Sequence, residues 1–475
     1  MRRFPSLLAA LALPGVLVAQ AARPRAADPA SLDWPRLRDE AAGLLAEYLR
    51  IDTSNPPGRE RAAAQWLAGV LRREGIEARV LDTAALGPGR ANVWARLPGR
   101  NASRRGAVAL MHHLDVVPAD SARWRVPPFA GVVRDGAVWG RGALDLKGEG
   151  IVHAMAMIAL KRAGLVLDRD VVLLGVADEE VAGTGARVFV RDHPELVRAM
   201  GAMLAETGGA YTDSTRTWWF GLGVLEKRQM HVRLTAAGRA GHTMHGDAAA
   251  NPVPRLARAV ARLGAWEPPL RLTPPVERYL RATAATEPEP ARRWLADPAA
   301  ALRDSAGRAL LLRDHGAVLR STVMPTMLAG APKLNMVPGE ATADVDVRLL
   351  PDEDAAAFLA QLRRVVDDSL VRVEAVGAVR PAVEPAPFPG PVADGLARTL
   401  AALRPGVPIV PLVLSGASDA PTFAAAGVPV YGVVAHSLEP ATWSGIHGDD
   451  ERVTLRQLET GIRFLVRLLW ELDRP

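Results

Sequence analysis

Apolar and polar positions along the chain fall into two textures, and the second interrupts the first. From Trp34 the segment WPRLRDEAAGLLAEYLRI repeats its apolar residues at helical spacing, and RERAAAQWLAGVLRREGIEARV predicts a helix, a glycine stop and a strand. AVALMHH, residues 107–113, predicts a buried β-run, EGIVHAMAMIALKRAG a helix, and DVVLLGVADEE an apolar strand that ends in acids. Helices alternating with apolar strands predict an α/β domain with a mainly parallel sheet covered on both faces. In such sheets ligands collect at the carboxyl ends of the strands, where HHLD and DEE both fall.

The texture changes near residue 226. EKRQMHVRLTAAGRAGHT alternates as a strand with one exposed face does, NPVPRLARAVARLGAW follows as a helix, and a Pro-rich helical insertion is expected over 267–330. ATADVDVRLLP, DEDAAAFLAQLRRVVDDSL and VRVEAVG then predict strand, helix and strand. This predicts a small α+β domain over 227–378, after which VADGLARTLAALRPG and PIVPLVL resume the first texture. The main domain therefore comprises 34–226 and 379–475.

A chain of 475 residues suits two domains. The formal charge of +6 comes almost wholly from arginines dispersed among acids, and no basic cluster with interleaved aromatics appears, which argues against a nucleic-acid partner. Residues 1–21 are expected to be a signal peptide: Arg2 and Arg3 precede an apolar core that ends in Ala19-Gln20-Ala21. That core is short for a span of about 20 residues and contains Pro14 and Gly15, so the expectation is export, periplasmic or secreted, with no stable membrane span after cleavage. Cysteine is absent, so any metal must be held by histidine and carboxylate.

Candidate ligands lie in five short stretches. In LMHHLDVVP, His113 and Asp115 are two positions apart and share one side of an extended chain. WGRGALDLKGEG sets Asp145 between two leucines, VADEEVAGTGA ends a core strand with Glu179 and Glu180, LAETGGA places Glu206 after an apolar run, and SGIHGDDERV contains His447. Each stretch alone is ordinary for a strand end or a solvated loop. Together they put histidines and several acids at strand ends of one α/β domain, a donor set suited to zinc and to a pair of metals sharing a carboxylate.

With these stretches in view, the sequence resembles the aminoacylase, glutamate carboxypeptidase and succinyl-diaminopimelate desuccinylase family of dizinc metallopeptidases. HLDVVP, GRGALDLKG, DEE and SGIHGDDERV resemble its metal-site motifs, SGASDAPTF its substrate loop, and SNPPG near residue 54 its N-terminal signature. The resemblance implies that His113 and Glu206 bind one zinc, Glu180 and His447 the other, and that Asp145 bridges both, with a cis bond between Asp145 and Leu146. It implies that Asp115 orients His113 and that Glu179 is the general base. The 227–378 domain would be a lid, whose AGHTMHG motif supplies His242 to the oxyanion. Asn335 and Arg348 would grip a substrate carboxylate, and Gly416 and Ser418 would line the pocket mainly through backbone. His112 receives no role.

The resemblance thus implies two Zn2+ per subunit, with Co2+ or Mn2+ as possible substitutes. The expected activity is hydrolysis of amide bonds beside a free carboxylate, as a carboxypeptidase or dipeptidase on small peptides. The alternative is an N-acyl-amino-acid deacylase, and a non-catalytic binding protein on the same scaffold is disfavoured because it has no need of Glu179. A homodimer is expected, since His242 lies far in sequence from every metal ligand.

Overall fold

The strand Ala107–His113 is buried at every position because it runs through the middle of a sheet covered on both faces. In the computed structural model it pairs in parallel with Val171–Val176 on one side and with Met200–Ala205 on the other. Met200–Ala205 in turn pairs in parallel with Val430–Gly432. Antiparallel strands flank this parallel centre: Ala91–Leu97 and Glu77–Asp82 at one edge, and Thr217–Glu226 at the other. Thr217–Glu226 adds Ile409–Leu414 in parallel and Gly209–Thr212 antiparallel. The structure describes residues 29–83, 86–101, 105–213, 216–245, 247–438 and 444–474, so the segment read as a signal peptide lies outside it.

Strand alternation sorts the side chains between two cores. Val108 and Leu110 join the larger core with helices Trp34–Leu49, Glu60–Arg73, Lys147–Arg162 and Leu455–Asp473. Ala107, Ala109 and Met111 join the smaller one with Thr184–Asp192 and Ala420–Ala425. The same alternation separates the two histidines. His112 continues the even series and lies under helix Lys147–Arg162, so close to Gly150 that a Cβ there would come within 2.5 Å of its ring. His113 continues the odd series and ends the strand at the carboxyl edge of the sheet.

The smaller domain is an antiparallel sheet in the order Thr322–Ala329, Glu340–Leu349, Arg228–Ala237, Val371–Val376. Helices Pro252–Ala265 and Ala355–Val366 cover one face, where Val232, Leu234, Val345, Val347, Phe358 and Leu362 form a separate core. The alternate residues His231, Arg233, Asp344, Asp346 and Arg348 occupy the other face. The helical segment expected to swell this domain packs elsewhere: Val276, Leu280, Leu295, Leu311 and Leu319 are part of the main core. Its C-terminal part, Thr322–Ala329, is an edge strand of the small sheet rather than helical insertion. Pro325 concealed that strand in the sequence; it is tolerated because it lies at an edge, beside a register shift.

The chain crosses between the domains twice, and the crossings are tied together. Arg380 donates its N–H to the Gln229 carbonyl at 3.1 Å and accepts from Arg228 Nε at 2.9 Å. Among the described residues no helix is long and apolar enough to cross a membrane.

Candidate metal centre

Two imidazoles meet the two oxygens of one carboxylate. His113 Nε2 lies 2.9 Å from Asp145 Oδ1 and 3.7 Å from Glu206 Oε2. His447 Nε2 lies 3.1 Å from Asp145 Oδ2 and 3.2 Å from Glu180 Oε2. Asp145 therefore stands between two clusters, each with one histidine and one glutamate. These five residues come from four strand ends or the turns after them and from the loop before helix Leu455–Asp473.

The turn that carries Asp145 is built around Glu451, which sequence reasoning missed. The Glu451 carboxylate is fully buried and accepts N–H bonds from Gly142, Leu144 and Asp145 at 2.7–3.0 Å, with Arg141 Nη1 at 2.7 Å. Arg141 Nη2 also donates to the His447 carbonyl, so one ion pair ties both halves of the centre. The Asp145–Leu146 bond is cis. The signal for Glu451 was present: it is the third acid of GDDE, four residues after His447.

The Glu179–Glu180 turn is held from beneath by Asp115, but not as expected. The Asp115 carboxylate accepts N–H bonds from Glu179 at 3.1 Å and Glu180 at 3.2 Å, and the Asn55 amide at 2.8 Å. His113 Nδ1 instead donates to the Asp115 backbone carbonyl at 2.9 Å, while the carboxylate stays 3.9 Å away. The expected carboxylate-to-imidazole contact is thus replaced by a carbonyl, because both carboxylate oxygens are spent on the turn. A donating Nδ1 still leaves Nε2 as the ring's ligand atom. Asn55, in SNPPG, also reaches Asp178 Oδ1 at 3.1 Å, which gives that signature a structural use.

The electrostatics of the cluster fit a divalent cation. Burial and the neighbouring Glu206 push the Glu179 carboxyl well above the ordinary glutamate range. Glu206 is raised too, by burial first and then by the acids around it. Burial alone would lower His113, but Asp145 and the nearby glutamates raise it well above the usual imidazole value. His447 is pushed up to about 10 by its bonds to Asp145 and Glu180. Glu180 Oε1 is buried without a hydrogen-bond partner among the described residues. Several acids crowded around two imidazoles hold excess protons that a divalent cation would replace. His113, Asp145 and Glu180 bring ligand atoms within 4.8 Å of one another, and an all-nitrogen-and-oxygen donor set fits zinc or a similar divalent ion.

The remaining site candidates separate into two groups. Ser418 is buried; its hydroxyl donates to Glu226 Oε1 at 2.6 Å and its N–H to Glu226 Oε2 at 2.9 Å, so both its donors are spent inside the protein. Gly416, half-buried, occupies the more open part of the same loop. His242 and Asn335 come together in the small domain, where Thr243 N–H donates to the Asn335 carbonyl at 3.3 Å, and both side chains are exposed. His242 Nδ1 accepts the Met244 N–H, and no metal-centre residue is among its partners in the described residues. Arg348 lies half-buried on the sheet face opposite the helices and is already engaged, with Nε 2.9 Å from Asp346 Oδ2. Behind Glu179 lies a further group that the sequence did not mark: Glu226, Asp419 and Arg380. Arg380 Nη1 donates to Asp419 Oδ1 at 2.9 Å.

Comparison with known proteins gives the chain a family and a shared fold. Residues 109–471 match the family model described as Peptidase family M20/M25/M40. Human N-fatty-acyl-amino acid synthase/hydrolase PM20D1 is 27% identical over 376 residues, covering 77% of this chain and 74% of that protein. Human aminoacylase-1 is 25% identical over 443 residues, covering 92% and 96%. The M20 family metallo-carboxypeptidase Sso-CP2 from Sulfolobus solfataricus superimposes with a TM-score of 0.71 at 17% identity, covering 92% and 99%, which shows a shared fold.

Proposed function

The chain belongs to peptidase family M20/M25/M40 and is a hydrolase of that metal-dependent family; from that premise we propose a two-zinc enzyme that cleaves an amide bond beside a free carboxylate. The observation that carries the proposal is the convergence of His113 and His447 on the two oxygens of Asp145. N-acyl amino acids are the favoured substrates, because both sequence relatives cited above carry acyl-amino-acid names. Small peptides are the second reading, supported by the family description itself.

Zinc held by His113, Asp145, Glu180, Glu206 and His447 would polarise the scissile carbonyl and acidify the attacking water. Glu179 takes the proton of the attacking water and returns it to the leaving nitrogen. His242 donates to the carbonyl oxygen as it becomes negative. Asn335 and Arg348 hold the substrate carboxylate, with the guanidinium sharing its fork between that group and Asp346. The lid reaches the centre by closing or from a second subunit. The enzyme is exported, with residues 1–21 removed.

The test is a panel of N-acyl amino acids of increasing chain length beside matching dipeptides and their C-terminal amides, with zinc-loaded protein. Free-carboxylate N-acyl substrates should be cleaved best, and Arg348→Ala should hurt them far more than the amides. Glu179→Gln should keep both metals and lose at least ~10²-fold in kcat. Near-normal kcat in that variant would remove Glu179 from the mechanism.

A further inference from the structure

We propose that Arg380 is a positioning residue for the turn that carries Glu179 and Glu180. The turn starts at Asp178 and closes at Gly183, whose N–H donates to the Asp178 carbonyl while Thr184 N–H donates to Asp178 Oδ2 at 3.2 Å. Asp115 grips it from beneath through the N–H groups of Glu179 and Glu180. Its other side is closed by the Arg380–Asp419 ion pair, which lies directly on Gly183: a Cβ added there would collide with Asp419 Oδ1 and the Arg380 guanidinium. Gly183 has φ +66°, so glycine serves both the turn and the close approach.

The pair is deeply placed, with side-chain exposures of 10% for Arg380 and 0% for Asp419. A buried ion pair is weak evidence for stability, because desolvation offsets most of its attraction. Its location is more telling. Arg380 belongs to the segment returning from the lid, and its backbone is bonded on both sides to the outgoing crossing through Gln229 and Arg228. Its side chain nevertheless ends on the turn that carries Glu179. One residue therefore joins the pivot of the lid to the orientation of Glu179.

The catalytic consequence rests on the reading of Glu179 as base, so the test has one arm that needs no substrate. Arg380→Met should speed amide hydrogen exchange across 178–184 in the zinc-loaded protein, while exchange in strand Ala107–His113 stays unchanged. In turnover, Arg380→Met should cut kcat by ~10–100-fold, the range for loss of a group that orients a ligand-bearing turn, with KM within about twofold and both metals kept. Arg380→Lys should recover much of that loss, since an ammonium retains one bond to Asp419. Adding Asp419→Asn to Arg380→Met should cost little more, because both act through one contact. Unchanged exchange across 178–184 would overturn the proposal whether or not a substrate is known. A rise in KM alone would also overturn it, making Arg380 a substrate anchor, as would a loss that follows thermal stability and ignores the lysine.

Discussion

Glu451 spends its carboxylate on four donors of the Gly140–Asp145 turn, whereas His242 exposes its ring and, among the described residues, accepts only the Met244 N–H. The contrast extends across both sides of the candidate site. On the main-domain side, Asp115, Asn55, Glu451 and Arg141 lock the backbone that presents the ligands. On the lid side, His242 and Asn335 sit on a two-stranded loop pair at the surface. Folding alone assembles the first group, because a buried carboxylate must find its donors or cost several kcal/mol. The second group stays exposed, and the proposed function requires it to be carried to the centre.

The sharpest break of this contrast is Asp145→Ala. Asp145 meets both histidines, so its removal should empty both metal positions and abolish activity, while circular dichroism stays native. Elemental analysis showing two metals per chain in that variant would refute the bridge.

His242→Ala should come next, with a loss of about 10²–10³ in kcat and both metals retained, the usual scale for one donor to a developing oxyanion. Mixing it with Glu179→Gln decides how the lid side is delivered. If His242 acts across a dimer, each mixed dimer has one site with both residues intact, and activity reappears after subunit exchange. A fully active monomer in sedimentation would instead require closure of the chain's own lid.

The two sides also differ in how far the sequence reveals them. The candidate metal ligands His113, Asp145, Glu180, Glu206 and His447 are ordinary one by one and become legible only as a set of polar residues at or after strand ends, sorted into roles by the family resemblance; in the fold they converge. The residues that lock them do not stand out. Glu451 lies in a run of acids, Arg380 is one of many arginines, and Asp115 shows its role only when the N–H groups of Glu179 and Glu180 are seen to point at it. Periodicity located the lid helices and most lid strands. It failed at Thr322–Ala329, where Pro325 and an edge position mask the alternation, and it could not tell which core the insertion helices would join. Amphipathic spacing specifies a buried face but not the surface that buries it.

A smaller effect tests the locking itself. Glu451→Gln keeps the size of the side chain but turns an amide NH2 toward the N–H donors of Gly142, Leu144 and Asp145. Metal affinity or kcat should fall by ~10–100-fold, with both metals recoverable at high zinc. Unchanged affinity would mean that the turn holds its form without the carboxylate.

The smallest effect lies at the seam between the two sides. Lys227 follows the last main-domain strand, is 1% exposed, and donates from Nζ to the carbonyls of Ala317 and Arg320 at 2.9 and 3.0 Å and to Thr322 Oγ1 at 3.3 Å. It thereby ties the end of the insertion to the start of the lid's edge strand. Burial, and then the nearby Arg348, push its amine down to about 7 from the usual 10.5. Between those two values the unfolded chain binds the extra proton, so stability should rise with pH across that window; below about 7 both states are protonated and the full burial cost is present. Lys227→Met lacks this titration. The melting temperature of the wild type should therefore gain on the variant by a few degrees at most between neutral pH and pH 9, read by calorimetry with zinc bound. A constant gap across that range would mean that the three acceptors hold the ammonium charged in the folded protein, and that the seam is fixed by charge rather than by a neutral buried amine.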